Sequence, residues 1–369
     1  MEKKQIIKYI VFITGIAIIT ALAVISYTIG SQPGPFSLQS EEESDYIFDK
    51  ECDYALLQGL IYESGNDMIR IYSLKDNREI HEMSQILNRT VMKVLNGEVI
   101  IYEYRGRGII KVDRTKLSRD LYIDEGNEIY DIIEVNENLL GVIYKRDRYK
   151  SSLLLLDRAF NRIFERAYSE AFVTDAKFIK RNQVLILLNS FAGEEIRSYY
   201  EVVDINTGEI IKEKTIGANV FQRVFSLDDK KGLIASAGEL IIINDQFEFE
   251  YRMLYEDSSI YDIDAAGDRI IILKGISKEG SGHPMQASGI EVTDHTGAVE
   301  YSFTVDPDIT RVKYINKKVY GISNTGINIY SIEGEFLYKT GSDDIIEKIA
   351  ENKGDFYFFF SDRVEKASP

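Results

Sequence analysis

Two stretches of this chain open alike. "IYDIIEVNENLLGVIY" runs from Ile129 to Tyr144, and "IYDIDAAGDRIIILKG" runs from Ile260 to Gly275, 131 residues further on. Each holds an alternating apolar strand, a polar turn rich in Asn, Asp or Gly, and a second, more apolar strand. The same order recurs in "TDAKFIKRNQVLILL" from Thr174, "QRVFSLDDKKGLIAS" from Gln222 and "TRVKYINKKVYGIS" from Thr310. Looser copies are "VMKVLNGEVIIYEY" from Val91, "IEKIAENKGDFYFFF" from Ile346 and, loosest, "YIFDKECDYALLQGLIY" from Tyr46. Registered on Asp131, the copies align Phe48, Val91, Asp131, Asp175, Arg223, Asp262, Arg311 and Glu347. Third strands follow each copy: "IRIYSL", "IIKVD", "LLLLD", "YEVVD", "LIIIN", "IEVTD", "INIYS" and a truncated "RVEK". Such short strands cannot bury their faces alone. Units of four strands repeated at this spacing stack around an axis, so the sequence predicts an all-β propeller of eight four-stranded blades, with seven as the alternative count. The last unit lacks a fourth strand, and a segment near Phe36–Leu38 is the candidate to supply it.

"VVDINTGEIIK" (Val202–Lys212) places Asp204, Thr207 and Gly208 as in the turn of quinoprotein-like propellers, and "VTDHTGAVEY" (Val292–Tyr301) is a shortened echo. Lys212 stands where that family has a docking tryptophan, and the chain has no tryptophan at all. The chain therefore resembles a divergent quinoprotein-like (PQQ-like) propeller without the docking tryptophans. Its layout resembles an uncharacterised bacterial family of membrane-anchored β-propellers, a domain of unknown function, and more distantly the scaffold propeller of the outer-membrane assembly machinery. The resemblance carries over no functional residue; the leading expectation is a non-enzymatic, membrane-tethered interaction module. A quinone cofactor would need stacking tryptophan, so no cofactor is expected.

The chain has 369 residues and a net charge of -16. Residues 1–40 contribute +2 through Glu2, Lys3, Lys4 and Lys8, which leaves -18 on the remainder. So acidic a surface repels nucleic acid and excludes it as a partner. The 21 residues from Tyr9 to Ile29 carry no charge; as a helix they would span about 32 Å, the thickness of a bilayer core. Lysines precede this run and Glu41, Glu42 and Glu43 follow it, which places the N-terminus inside and the bulk of the chain outside. The expected organisation is a cytoplasmic basic flank (1–8), a single transmembrane helix (9–29), a linker (30–43) and an extracytoplasmic propeller (44–369) of the bacterial cytoplasmic membrane. Ala21-Leu22-Ala23 offers the alternative of a cleaved signal peptide. Cys52 is the single cysteine, which rules out an intramolecular disulfide and suggests a buried thiol near the first blade.

Motifs for chemistry are sparse. His81, His283 and His295 are scattered and in no metal-ligand spacing, so no metal is expected. Asp131, Asp175 and Asp262 share a register near the axis and form a weak candidate for an axial carboxylate ring. The competing reading is that they cap turns or pair with Arg223 and Arg311. Loops after the second strands carry more information, because extra length on one end of a rigid scaffold is where binding concentrates. Those of the second and third units hold Arg105, Arg107, Lys145, Arg146, Arg148, Tyr149 and Lys150; that of the sixth is the longest and holds His283 and Met285. This basic patch on an acidic domain predicts a site for an envelope protein or an anionic envelope polymer. An envelope hydrolase or lyase using the axial carboxylates is the alternative function.

Overall fold

The computed structural model describes residues 52–367, apart from 66–67, 85–86, 114–115, 181, 194, 228–230, 268, 277–285, 343, 353–354 and 361–362. The expected anchor, the linker, Phe36–Leu38 and Phe48 lie outside these residues, as do His283 and Met285. Among the described residues there is no helix, and so none long and apolar enough to cross a membrane.

Eight antiparallel sheets follow one another along the chain. Blades 1 to 7 have four strands each, spanning 53–84, 90–122, 128–168, 171–217, 221–254, 259–303 and 311–341; blade 8 comprises three described strands over 348–367. Strand order within each sheet is the order in sequence, the expected arrangement. The first strands line the axis, and those of blades 1 and 2, 3 and 4, 4 and 5, 6 and 7, and 8 and 1 contact one another. These inner strands are Asp53–Leu57, Thr90–Leu95, Glu128–Asn136, Ala171–Lys180, Phe221–Ser226, Ser259–Ala266, Arg311–Ile315 and Lys348–Asn352.

Second strands are the most apolar because they are covered on both faces. Val184 to Leu188 and Ile270 to Leu273 are almost wholly buried. Each blade interface has its own core. Ile100, Val142 and Leu154 fill the one between blades 2 and 3; Leu187, Tyr200 and Ile234 fill that between blades 4 and 5. The ring closes through Tyr54, Leu56, Ile61, Tyr357, Phe359 and Val364. Cys52 packs against this seam half-buried, not fully buried as expected from the sequence.

Strand pairing corrects the axial register at both ends of the chain. Asp131 lies opposite Ile143, the fifth residue of its second strand, and Asp175 opposite Leu187 in the same way. The equivalent pairs at the ends are Asp53 with Ser64 and Lys348 with Phe359. The axial tier is therefore Asp53, Val91, Asp131, Asp175, Arg223, Asp262, Arg311 and Lys348. Asp53 replaces Phe48, and Lys348 replaces Glu347, whose amide instead bonds the Phe359 carbonyl at 2.8 Å.

Candidate functional site

The axial tier is a set of clamps between blades. Asp53 accepts the amide of Tyr54 at 2.9 Å and, across the interface, that of Met92 in blade 2 at 2.6 Å. Asp175 does the same with Ala176 and with Val224 of blade 5, both at 2.8 Å. Asp262 accepts the amide of Val312 in blade 7 at 2.9 Å and takes Arg223 of blade 5 at 3.0 Å. Asp131 holds its own neighbour's amide at 2.7 Å, the Tyr102 hydroxyl at 2.8 Å and the Lys93 ammonium. Two residues further along the inner strand, Asp264 takes the Tyr314 amide at 2.8 Å and Lys313 at 3.0 Å. Lys348 reaches from blade 8 to Asp53 at 3.3 Å and to the Tyr54 carbonyl at 2.6 Å.

This geometry brings Asp131, Asp175 and Asp262 to the inner strands and engages both oxygens of Asp175 and Asp262 and one oxygen of Asp131 with backbone amides, cations and the Tyr102 hydroxyl. Asp175 differs from the others electrostatically. Crowding by the surrounding blades raises its carboxyl to about 6, against the opposing pull of the Val224 amide and Lys177. Burial, and then the Asp131 carboxylate, push the Tyr102 hydroxyl up. Among the described residues, no group of three or more His, Cys, Asp and Glu side chains is arranged to hold a metal ion.

The two ends of the axis differ. At the end formed by the links between first and second strands lies a cavity of about 810 Å³, lined by Glu134, Asn136, Lys177, Lys180, Phe225 and Ala265. Its charged groups already have partners: Lys177 donates to the Glu134 carbonyl, Glu134 accepts the Asn96 amide at 3.1 Å, and Lys180 lies 3.9 Å from Asp245. Sequence reading missed this cavity because four blades contribute to it.

The opposite end carries the links after second and fourth strands, and the basic residues lie on two of these links, in blades 2 and 3. In blade 2, Arg105 is exposed and lies 5.6 Å from the Tyr104 ring centre. Its amide and that of Ile129 tie the loop to blade 3 through the Ile129 and Gly106 carbonyls, each at 2.8 Å. Arg107 is half-buried, with its amide on Glu103 at 3.0 Å. In blade 3, Lys145, Arg146, Arg148, Tyr149 and Lys150 are all exposed. Arg146 pairs with Glu165 at 3.1 Å and stands 5.9 Å from the Tyr149 ring. Arg148, held at φ 67°, is 89% exposed and only 3.8 Å from the equally exposed Asp147. Lys150 lies 6.0 Å from the ring of Phe172 in blade 4, which meets Phe191 edge-on at 5.9 Å.

Lys150, Phe172 and Phe191 thus join blade 3 to blade 4 in one surface. Tyr104, Tyr149, Phe191 and Ile196 are exposed large apolar side chains on that surface, with Phe191 51% accessible. Sequence reading found the cations of this face. It missed Phe172 and Phe191, whose place beside Lys150 depends on the packing of two blades.

No protein-family profile matches the chain, and no curated protein sequence matches it. Solved structures do. A computationally designed protein, Ika8, superposes with a TM-score of 0.63 at 12% identity, over 91% of this chain and 100% of that one. Sqt1 from Chaetomium thermophilum, in a structure bound to the N-terminus of the ribosomal protein L10, gives 0.59 at 10% identity, over 89% and 98%. BamB from Moraxella catarrhalis gives 0.54 at 12% identity, over 87% and 97%. At such identities the likeness is one of fold.

Proposed function

We propose that this chain is a membrane-tethered, extracytoplasmic propeller that works as a non-enzymatic binding scaffold of the bacterial cell envelope, through the loop end of blades 2 to 4. The observation that carries the reading is the gathering of cations and exposed rings on that end of a strongly acidic domain. Charge of the sign opposite to the rest of the surface marks a place for a partner and speeds its encounter. Exposed rings at the same place offer the apolar anchors that bear most binding energy in protein contacts. The propeller of Chaetomium Sqt1, seen with a ribosomal protein segment, is a precedent for the shape. Binding is favoured over hydrolysis because the axial carboxylates are engaged as blade clamps.

The tether rests on the uncharged run Tyr9–Ile29 and its lysine flank. Fusing alkaline phosphatase or a fluorescent protein to the C-terminus tests it: phosphatase active and fluorescence dark is the expected pair, and the reverse removes the envelope role. A photocrosslinking residue at Tyr149 should form adducts in cells that the same residue at Phe336, exposed on an outer strand of blade 7, does not. Equal adducts at both positions would reject the loop end as the working surface.

A further inference from the structure

We infer that the occupant of the loop end is an acidic protein segment carrying large apolar side chains, laid across blades 2, 3 and 4. The inference rests on the scaffold reading and narrows it to one partner chemistry. Electrostatics gives the sign. The links after the second strands of blades 2 and 3, residues 104–107 and 145–150, hold Arg105, Arg107, Lys145, Arg146, Arg148 and Lys150 against Asp147 alone, so these two loops are net positive, while Asp124, Glu125, Glu170 and Glu195 keep the neighbouring links acidic. Five of the cations, Arg105, Lys145, Arg146, Arg148 and Lys150, are exposed, and among the described residues no carboxylate pairs with Lys150, which lies 6.0 Å from the Phe172 ring. Desolvating such cations is favourable only against carboxylates or phosphates that replace the lost water.

The rings decide between the two anionic partners. A phosphate polymer needs cations and gains little from Tyr104, Tyr149, Phe191 and Ile196, each more than a third exposed. A peptide with acidic and apolar residues uses both. Its carboxylates meet Arg148 and Lys150, while its apolar side chains cover Phe191 and Tyr149. Paired rings and cations, Arg105 with Tyr104, Arg146 with Tyr149 and Lys150 with Phe172, repeat along the path from blade 2 to blade 4. The surface therefore alternates charged and apolar contacts in the way an extended segment presents its side chains.

The test is selection from a random twelve-residue peptide library against the full-length chain in mild detergent, followed by fluorescence anisotropy on the enriched peptides. The enriched sequences should combine Asp or Glu with Phe, Tyr or Leu. Their affinity should fall about tenfold or more in a Lys145→Ser, Arg148→Ser, Lys150→Ser triple variant, and again as salt rises from about 0.05 to 0.5 M. Phe191→Ser should lower it about fivefold or more, because it truncates an apolar anchor. Arg146 is kept so that Glu165 retains its partner. Long-chain polyphosphate is the control probe. Polyphosphate binding that matches the peptides and ignores Phe191→Ser would replace the peptide with an anionic polymer and overturn the inference. Enrichment of basic or uncharged peptides, or of none, would overturn it too. In either case, Tyr149 crosslinks in cells would still speak for the scaffold, so the two readings fail separately.

Discussion

Asp175 shows how one residue type serves one structural purpose at different electrostatic cost. Its two oxygens join blade 4 to blade 5 through backbone amides, but crowding raises its carboxyl to about 6. A raised folded value favours the protonated form in the native state. The stabilisation this gives is complete below the ordinary aspartate range, near 3.8, and is lost as pH rises through about 6. The amides of Ala176 and Val224 should therefore titrate together in proton–nitrogen NMR spectra, with a midpoint near pH 6. A common midpoint near 4 would show that the carboxyl is not crowded in this way. Asp53 makes the same clamp at the ring seam and also holds Lys348. Asp53→Ala leaves the Met92 amide without that acceptor, and a buried amide stripped of its partner costs about 1–3 kcal/mol, measurable by urea unfolding.

At the scale of strands and turns, the link between third and fourth strands accounts for much of what the sequence disclosed. Asp157, Asp204, Asn244 and Asp294 each end or follow a third strand, and each accepts a backbone amide two residues on, at 2.8, 2.8, 3.0 and 2.8 Å. This is why "LLLLD", "YEVVD", "LIIIN" and "IEVTD" are readable as one element. The quinoprotein-like turn at Asp204 keeps Thr207 and Gly208 but not the tryptophan. In its place Lys212, with Lys214, clamps Glu248 in the corresponding turn of blade 5. Hydrogen bonds from Lys212 and then Lys214 lower the Glu248 carboxyl to about 2. A lowered folded value contributes stability above the usual glutamate range, and that contribution is lost as pH falls through about 2. Carbon NMR at about pH 3.5 should find Glu248 still ionised, where a glutamate at the ordinary value of about 4.3 is largely protonated. Glycines separate two demands, Gly208 within such a link and Gly326 at the first residue of the third strand of blade 7. Gly208 sits at φ 75° in open space, so Gly208→Ala should cost about 1–2 kcal/mol of left-handed strain. Gly326 sits at φ 152° with the Thr340 carbonyl oxygen 2.1 Å from where a Cβ would lie. Gly326→Ala should lower the melting temperature more than Gly208→Ala does.

At the scale of the molecule, the blade count and strand order were legible because each repeat must bury the same two faces. The register failed only at the ends, where one side of the repeat has no upstream or downstream copy to compare. Tyr46–Tyr62 contains two apolar stretches, and only the turn at Gln58 and Gly59 fixes Asp53 as the axial residue. The basic face was half legible: charge is visible along a chain, whereas Phe172 and Phe191 join Lys150 only once blades 3 and 4 have packed. Stability and binding should separate there. The Lys145, Arg148, Lys150 triple serine variant removes only exposed charges, each worth about 0–1 kcal/mol, so its melting temperature should stay within about 3 °C of the parent. Cys52 offers a check on the seam. Packed half-buried beside Tyr54, Tyr357 and Phe359, it should react with an impermeant maleimide about tenfold more slowly than in urea. Equal rates would mean that blade 1 does not close on blade 8 as described.

That seam has a consequence for the order of assembly. Seven interfaces join blades adjacent in sequence, whereas the Lys348–Asp53 contact joins residues 295 positions apart. Contacts within and between successive blades form over short chain separations and can accumulate as the chain emerges. Closing the ring alone carries the entropy of a loop of that length, about 5 kcal/mol, and it is recovered only when the last blade is present. Contact order is thus concentrated in a single event. A chain truncated before Lys348 should keep its hairpins but leave an open crescent with two apolar ends, prone to join a second copy edge to edge.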